Sequence, residues 1–136
     1  MNDQEVNRLL AEWMGWTLVE SQRGEFTLQY AYEPGARMPW ERVRPEYEEA
    51  SKKQSRVVPW SEFDSGAFDY QARAYPQYCS DLNAVAEVEG RLSLDESIRY
   101  FDELRGNGPW TAIVCAPAKA RAHALARVIK EMEDEA

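Results

Sequence analysis

The stretch from Tyr78 to Leu92 reads YCSDLNAVAEVEGRL, and the rest of the chain can be arranged around it. Ser80 and Asp81 are N-cap residue types, whose side-chain oxygens accept from the free N–H groups that open a helix. Leu82, Val85, Ala86 and Leu92 fall on one side of the helical period, which predicts a helix with one buried face. Asn83, Glu87 and Glu89 form its polar complement, and Gly90 suits a left-handed position at its end.

Downstream, Ser93-Leu94-Asp95-Glu96 is a capping box. Leu94, Ile98, Phe101 and Leu104 predict the apolar face of the helix it starts, and the short link through Gly90 predicts an αα-hairpin. After the turn Gly106-Asn107-Gly108-Pro109, the apolar run Trp110–Cys115 reads as a buried strand. Pro117 suits the first position of a closing helix, which has Ala118, Ala122, Leu125, Ile129 and Met132 along a narrow seam. The closing acids oppose the helix dipole, so the last turn is expected to fray.

Upstream, Asn2 or Asp3 caps a first helix, with Glu5 completing a capping box and Val6, Leu9, Leu10, Trp13 and Met14 on its apolar face. Gly15 ends it. Trp16–Gln22 and Phe26–Tyr32, joined through Arg23-Gly24-Glu25, predict a β-hairpin. Between Pro34 and Pro76 the prolines break every periodic pattern, leaving a short strand at Arg56–Trp60. Val57-Val58-Pro59-Trp60 and Phe68-Asp69-Tyr70 are the expected anchors of this stretch. The expectation is a single α+β domain over residues 1–136. A small antiparallel sheet is layered with three to four helices as an α/β/α-type sandwich, with an irregular insertion at about 35–76.

Composition narrows the function classes. Forty-four per cent hydrophobic residues suffice for an ordinary core, and no apolar run approaches the ~18 residues of a membrane span. The opening residues lack a signal-peptide pattern, so a cytoplasmic location is expected. Cys79 and Cys115 form no C-x-x-C pair and are expected reduced and buried. With one histidine, no zinc site can be assembled on the usual ligand count, and neither a metal nor a cofactor is expected.

A formal charge of −8 argues against a duplex nucleic-acid partner, which demands a basic face. It permits a basic protein partner. Nucleotide-loop and nucleophile-elbow motifs are absent, and His123, beside Arg121 and Arg127, is expected to be a solvated surface residue. The carboxylate pairs Glu87/Glu89, Asp95/Glu96 and Asp102/Glu103, adjacent or two apart, read as solvated helix surface. No enzyme is expected.

The charge is uneven. Between Arg37 and Arg56 there are six Lys/Arg against four Glu, interleaved with Trp40 and Tyr47 and followed by Trp60. Guanidinium groups grip phosphate in a bidentate manner and aromatic faces stack on bases, so this mixture fits an anionic, nucleotide-like small molecule. Arg37, Arg42 and Arg44 are the expected phosphate contacts, Trp40 and Trp60 the stacking platforms, and Arg121 a further cation from the closing helix. The plainer reading is a surface loop pinned down by its aromatics. Five tryptophans in 136 residues also make a homo-oligomer a fair expectation.

Three stretches carry a resemblance. Tyr78-Cys79-Ser80-Asp81-Leu82-Asn83-Ala84, with Glu87 and Glu89 behind it, resembles a segment of small phage and prophage proteins that carry the phage ABA sandwich domain. Asn7-Arg8-Leu9-Leu10-Ala11-Glu12-Trp13-Met14-Gly15-Trp16 resembles that family's opening helix. Ala118 to Ile129, with Arg121-Ala122, Ala124-Leu125 and Arg127, resembles its closing helix, although Ala120 and His123 stand where the family usually shows Gln and Glu. The resemblance implies a layered α/β fold and a phage accessory protein at work in the host cytoplasm, with no catalytic residues to carry over. Three readings stay open within it. One is a counter-defence protein sequestering an anionic nucleotide-like host immune signal; another is an acidic protein-binding inhibitor of a host defence or nucleic-acid-binding protein; the third is a structural or regulatory part without ligand.

Overall fold

The computed structural model describes residues 1–63 and 75–136, so the expected anchor Phe68-Asp69-Tyr70 lies outside the described residues. The fold is α+β. In chain order the elements are α1 (Asp3–Trp13), β1 (Thr17–Arg23), β2 (Phe26–Tyr32), α2 (Pro39–Arg42), α3 (Glu48–Gln54), β3 (Ser55–Val58), α4 (Leu82–Glu89), α5 (Leu94–Arg105), α6 (Thr111–Val114) and α7 (Ala118–Glu135). Short 3-10 turns occur at Pro45–Tyr47, Trp60–Glu62 and Tyr78–Ser80. No helix among the described residues is long and apolar enough to cross a membrane. Contacts group the chain into two compact units, Met1–Ala11 with Pro76–Ala136, and Glu12–Tyr75. The stretch 35–76 falls within the second unit up to Tyr75.

The first unit is helical. Its caps form where the sequence places them: Asn2 Oδ1 accepts from Glu5 N at 2.9 Å, and Asp81 Oδ1 accepts from Asn83 N and Ala84 N at 3.0 and 3.2 Å. Ser93 and Glu96 close a reciprocal box at 3.2 and 2.8 Å. Helix α7 packs against α5, α4 and the turn at Tyr78–Ser80. It buries Ala122, Ala124, Leu125, Ala126, Val128 and Ile129, a broader face than the narrow seam the spacing predicts. Its last turn holds to Glu135, because Arg99 Nη1 pairs with Glu135 Oε1 at 2.8 Å and offsets the unfavourable dipole.

Four expectations fail here. Helix α4 buries Ala84, Val85 and Val88 where it packs on α7 and the Tyr78–Ser80 turn, and leaves Leu82 exposed. Gly90 stays right-handed at φ −68°; the positive φ falls instead at Gly106, which ends α5. Helix α5 faces inward with Tyr100, fully buried, and turns Leu94, Ile98 and Phe101 to solvent. The run at Trp110–Cys115 forms the single turn of α6 rather than a strand, with Trp110 exposed. A short apolar run carries no period to separate the two conformations, and here the carbonyls at the end of the turn find a cation.

The second unit is built on a three-stranded antiparallel sheet in the order β2-β1-β3. The hairpin forms as the sequence predicts. Gly24 supplies the positive φ of 64° that the first position of a two-residue hairpin loop favours. Strand β3 pairs Ser55 with Ser21 and Val58 with Leu18, one residue earlier than the expected start at Arg56. Trp60 is buried: its Nε1 donates to the Trp16 carbonyl at 2.9 Å, and its ring stacks on Phe63 and meets Tyr75 edge-on.

Leu125 is fully buried, so Leu125→Ala should lower stability by about 3 kcal/mol, within the ~2–5 kcal/mol of core truncations. Urea unfolding followed by circular dichroism checks this, and a loss below ~1 kcal/mol would contradict the burial.

Candidate functional site

In the second unit, one face of the sheet forms the floor of a cleft. The register sets Tyr30 opposite Val19, Tyr32 opposite Thr17 and Ser55 opposite Ser21, so these side chains share that face. Helices α2 and α3 contribute the walls through Pro39, Ser51 and Gln54, with Val43 just beyond α2. The cleft encloses about 500 Å³, inside the ~300–1,000 Å³ range of small-molecule sites. Ser21 Oγ and Ser55 Oγ lie 2.7 Å apart, each satisfying the other across two strands. Tyr30 and Tyr32 are tilted neighbours with ring centroids 6.4 Å apart. The Arg42 guanidinium carbon sits 5.6 Å from the centroid of the Tyr32 ring, and Arg23 lines the same cleft. Burial pushes the Tyr32 hydroxyl above its ordinary pKa, against the opposing pull of Arg42 and Arg23.

Of the residues singled out in the sequence, Arg42 lies over the Tyr32 ring but is not among the residues lining the cleft. Arg37 and Arg44 are exposed, and Trp40 is half-buried on α2 next to Pro39. Trp60 is a core residue with its indole N–H already committed, which removes it as a stacking platform. Arg121 belongs to the first unit and is fully engaged there. Its Nε donates to Ala116 O at 2.8 Å, Nη1 to Glu89 Oε2 at 2.9 Å, and Nη2 to Ile113 O and Val114 O at 2.7 and 3.2 Å. Glu89 is therefore not solvated helix surface; it also accepts the Tyr100 hydroxyl at 2.7 Å. Tyr30, Tyr32, Ser21 and Ser55 went unnoticed as site residues because a strand pattern marks them as sheet and cannot say what covers each face.

A second cluster lies in the first unit. Asp3 in the first turn of α1, Cys79 in the turn at Tyr78–Ser80, and His123 on α7 each offer a donor atom, and the three lie within 4.8 Å of one another. His123 is not the solvated residue the sequence implies. Its Nε2 lies 2.7 Å from Asp3 Oδ1, and its side chain is 23% exposed. Lys119 Nζ approaches the other carboxylate oxygen at 3.5 Å. The hydrogen bond from His123 is the main influence holding the Asp3 carboxyl below its ordinary value. Stability from that shift is present above the ordinary carboxylate range and is lost as pH falls through the lowered value. Cys79 Sγ donates to the Asp3 carbonyl at 3.7 Å, and burial, followed by the Asp3 charge, pushes its thiol up to about 11. Both cysteines are free, and Cys115, expected buried, is exposed at the end of α6. No family model, curated protein or solved structure matches the chain.

Two outcomes follow from these placements. Arg121→Ala should destabilise the protein by about 3 kcal/mol by stranding Glu89 and three carbonyl groups. Unfolding midpoints of the two proteins check this, and an unchanged midpoint would contradict it. At pH 8 a maleimide should modify Cys115 first and Cys79 at least about tenfold more slowly, followed by peptide mass spectrometry. Equal rates would show that the Cys79 thiol is not held protonated by burial.

Proposed function

We propose that the protein captures an anionic, base-containing small molecule in the cleft between the sheet and α2/α3, by binding and not by turnover. The observation that carries this reading is that Tyr32 and Arg23 line one cleft above a hydroxyl-lined floor, with the Arg42 guanidinium carbon 5.6 Å from the Tyr32 ring centroid. The tyrosine ring offers a stacking face, the guanidinium groups offer bidentate donors for phosphate, and Ser21, Ser55 and Gln54 offer hydrogen bonds to a base or sugar. Among the described residues lining the cleft there is no carboxylate, imidazole or thiol, which supports capture over general acid–base chemistry. The setting we assign, a phage accessory protein that sequesters a nucleotide-like host immune signal in the host cytoplasm, rests on the resemblance carried by Tyr78–Glu89 and the opening and closing helices.

Titration calorimetry against cyclic di- and trinucleotides and ADP-ribose derivatives tests the reading. At least one should bind below micromolar Kd, and Tyr32→Ala or Arg42→Ala should weaken it at least about tenfold, equivalent to ~1.4 kcal/mol. If none binds, or if both variants bind as tightly as the parent, the cleft is not the site.

A second reading, a protein-binding inhibitor, draws on α5. Its outward stripe Leu94, Ile98 and Phe101 is flanked by exposed Asp95 and Asp102, a pattern complementary to a basic protein surface with an apolar centre. Such a complex would weaken steeply with salt.

A further inference from the structure

We propose that Asp3, Cys79 and His123 form a binding site for a zinc-class divalent ion, with three protein ligands and one position open to the adjacent groove. This goes beyond the cleft reading and is independent of it. The donors come from positions 76 and 120 residues apart along the chain, so the fold itself assembles them. One carboxylate oxygen, one thiolate sulfur and one imidazole nitrogen make a mixed set that suits zinc. It disfavours magnesium or calcium, which take oxygen ligands throughout.

The geometry is nearly that of a bound site. Around a tetrahedral zinc with bonds of about 2.0–2.3 Å, neighbouring donors sit roughly 3.5 Å apart. Here one donor from each residue lies within 4.8 Å of the others, with Asp3 and His123 drawn together at 2.7 Å. Binding would open that hydrogen bond slightly and close on Cys79, and the Asp3 and His123 side chains are both partly exposed. Cys79 would ligate as the thiolate, its proton passing to solvent.

The surroundings fix the ligands. The Cys79 backbone N–H donates to Asn7 Oδ1 at 2.9 Å, and Asn7 Nδ2 donates to Gln77 Oε1 at 3.0 Å. Asn7 is only 4% exposed, so a buried amide is spent on holding the backbone at Cys79. Asp3 Oδ1 would face the ion while Oδ2 keeps Lys119, the kind of outer partner that orients a ligating carboxylate. The groove beside Asp3 and His123, about 510 Å³ and lined also by Met1, Asn2, Gln4 and Lys119, leaves room for a water or an anion at the open position.

Cobalt(II) titration of the full chain provides the test. The parent protein should take up one equivalent, with a near-ultraviolet thiolate-to-cobalt band and the intense visible bands of four-coordination. Cys79→Ser should abolish the ultraviolet band and Cys115→Ser should keep it. Asp3→Asn and His123→Gln should weaken zinc, measured by competition with a chromophoric chelator, at least about tenfold. Circular dichroism of each variant confirms that it is folded, and the parent titration stands whatever the variants do. Absence of stoichiometric binding by the parent, or parent-like zinc affinity in folded Cys79→Ser and His123→Gln, would overturn the site and leave an ordinary ion pair between Asp3, His123 and Lys119.

Discussion

The first unit depends on a single guanidinium. Arg121 spends its donors on Glu89 and on the carbonyls of Ile113, Val114 and Ala116, and Glu89 in turn takes the Tyr100 hydroxyl. One side chain on α7 thereby ties down the end of α4, the inward face of α5 and the whole of α6. The physics favours this choice of residue. A one-turn helix such as α6 leaves its last carbonyls without intrahelical partners, and a cation placed there satisfies them and complements the local dipole. The pair with Glu89 is largely shielded, its side chains 16% and 25% exposed, so screening by salt is weaker than for surface pairs. Burial, then the bond to Glu89, raises the Tyr100 hydroxyl above its ordinary pKa, which keeps the proton on the tyrosine and keeps it a donor.

That network explains why some of the helical unit could be read from sequence and some could not. Caps are local chemistry, and Asn2, Asp81 and the Ser93–Glu96 box all form as their residue types dictate. The inward side of α5 is not local. Leu94, Ile98 and Phe101 offer a perfectly good apolar stripe, yet the helix turns Tyr100 inward because Glu89 and Arg121 wait there for its hydroxyl. The same cation decides α6, whose sequence suits a strand as well as a helical turn. Periodicity records which faces are apolar; it does not record which face a buried polar network claims.

In the second unit the hairpin and β3 were legible, since alternation, a glycine at the turn and β-branched residues all agree. The site was legible only in part. The mixture of arginine and aromatic residues after Gly35 drew attention to Arg42, which lies over Tyr32, but it treated the tryptophans nearby as platforms. Trp60 instead fills the core against Phe63 and Tyr75. The aromatics that do line the cleft, Tyr30 and Tyr32, sit two apart on β2, where a strand pattern marks them as ordinary sheet. The Asp3–Cys79–His123 cluster was invisible for a different reason: a count of histidines overlooks a mixed donor set, and these three residues are neighbours only in space.

The floor of the cleft gives the last step. Along the same face of β1, Val19 sits opposite Val57, the usual apolar pairing of a sheet, whereas the next position pairs Ser21 with Ser55. A buried hydroxyl pair gains a hydrogen bond but forgoes the apolar burial that two valines would bring, so at best it roughly breaks even for stability. No buried side-chain polar atom among the described residues lacks a partner, so the two serines are not an accident of poor packing. Each hydroxyl can donate once and accept twice, and their mutual bond uses one donor and one acceptor of that capacity. What remains lies along a cleft that also holds Tyr32 and Arg23. A sheet face that trades apolar contact for hydrogen-bonding capacity beside an aromatic ring and a guanidinium group fits the polar ligand we propose for this cleft, and fits the sealing of a core less well.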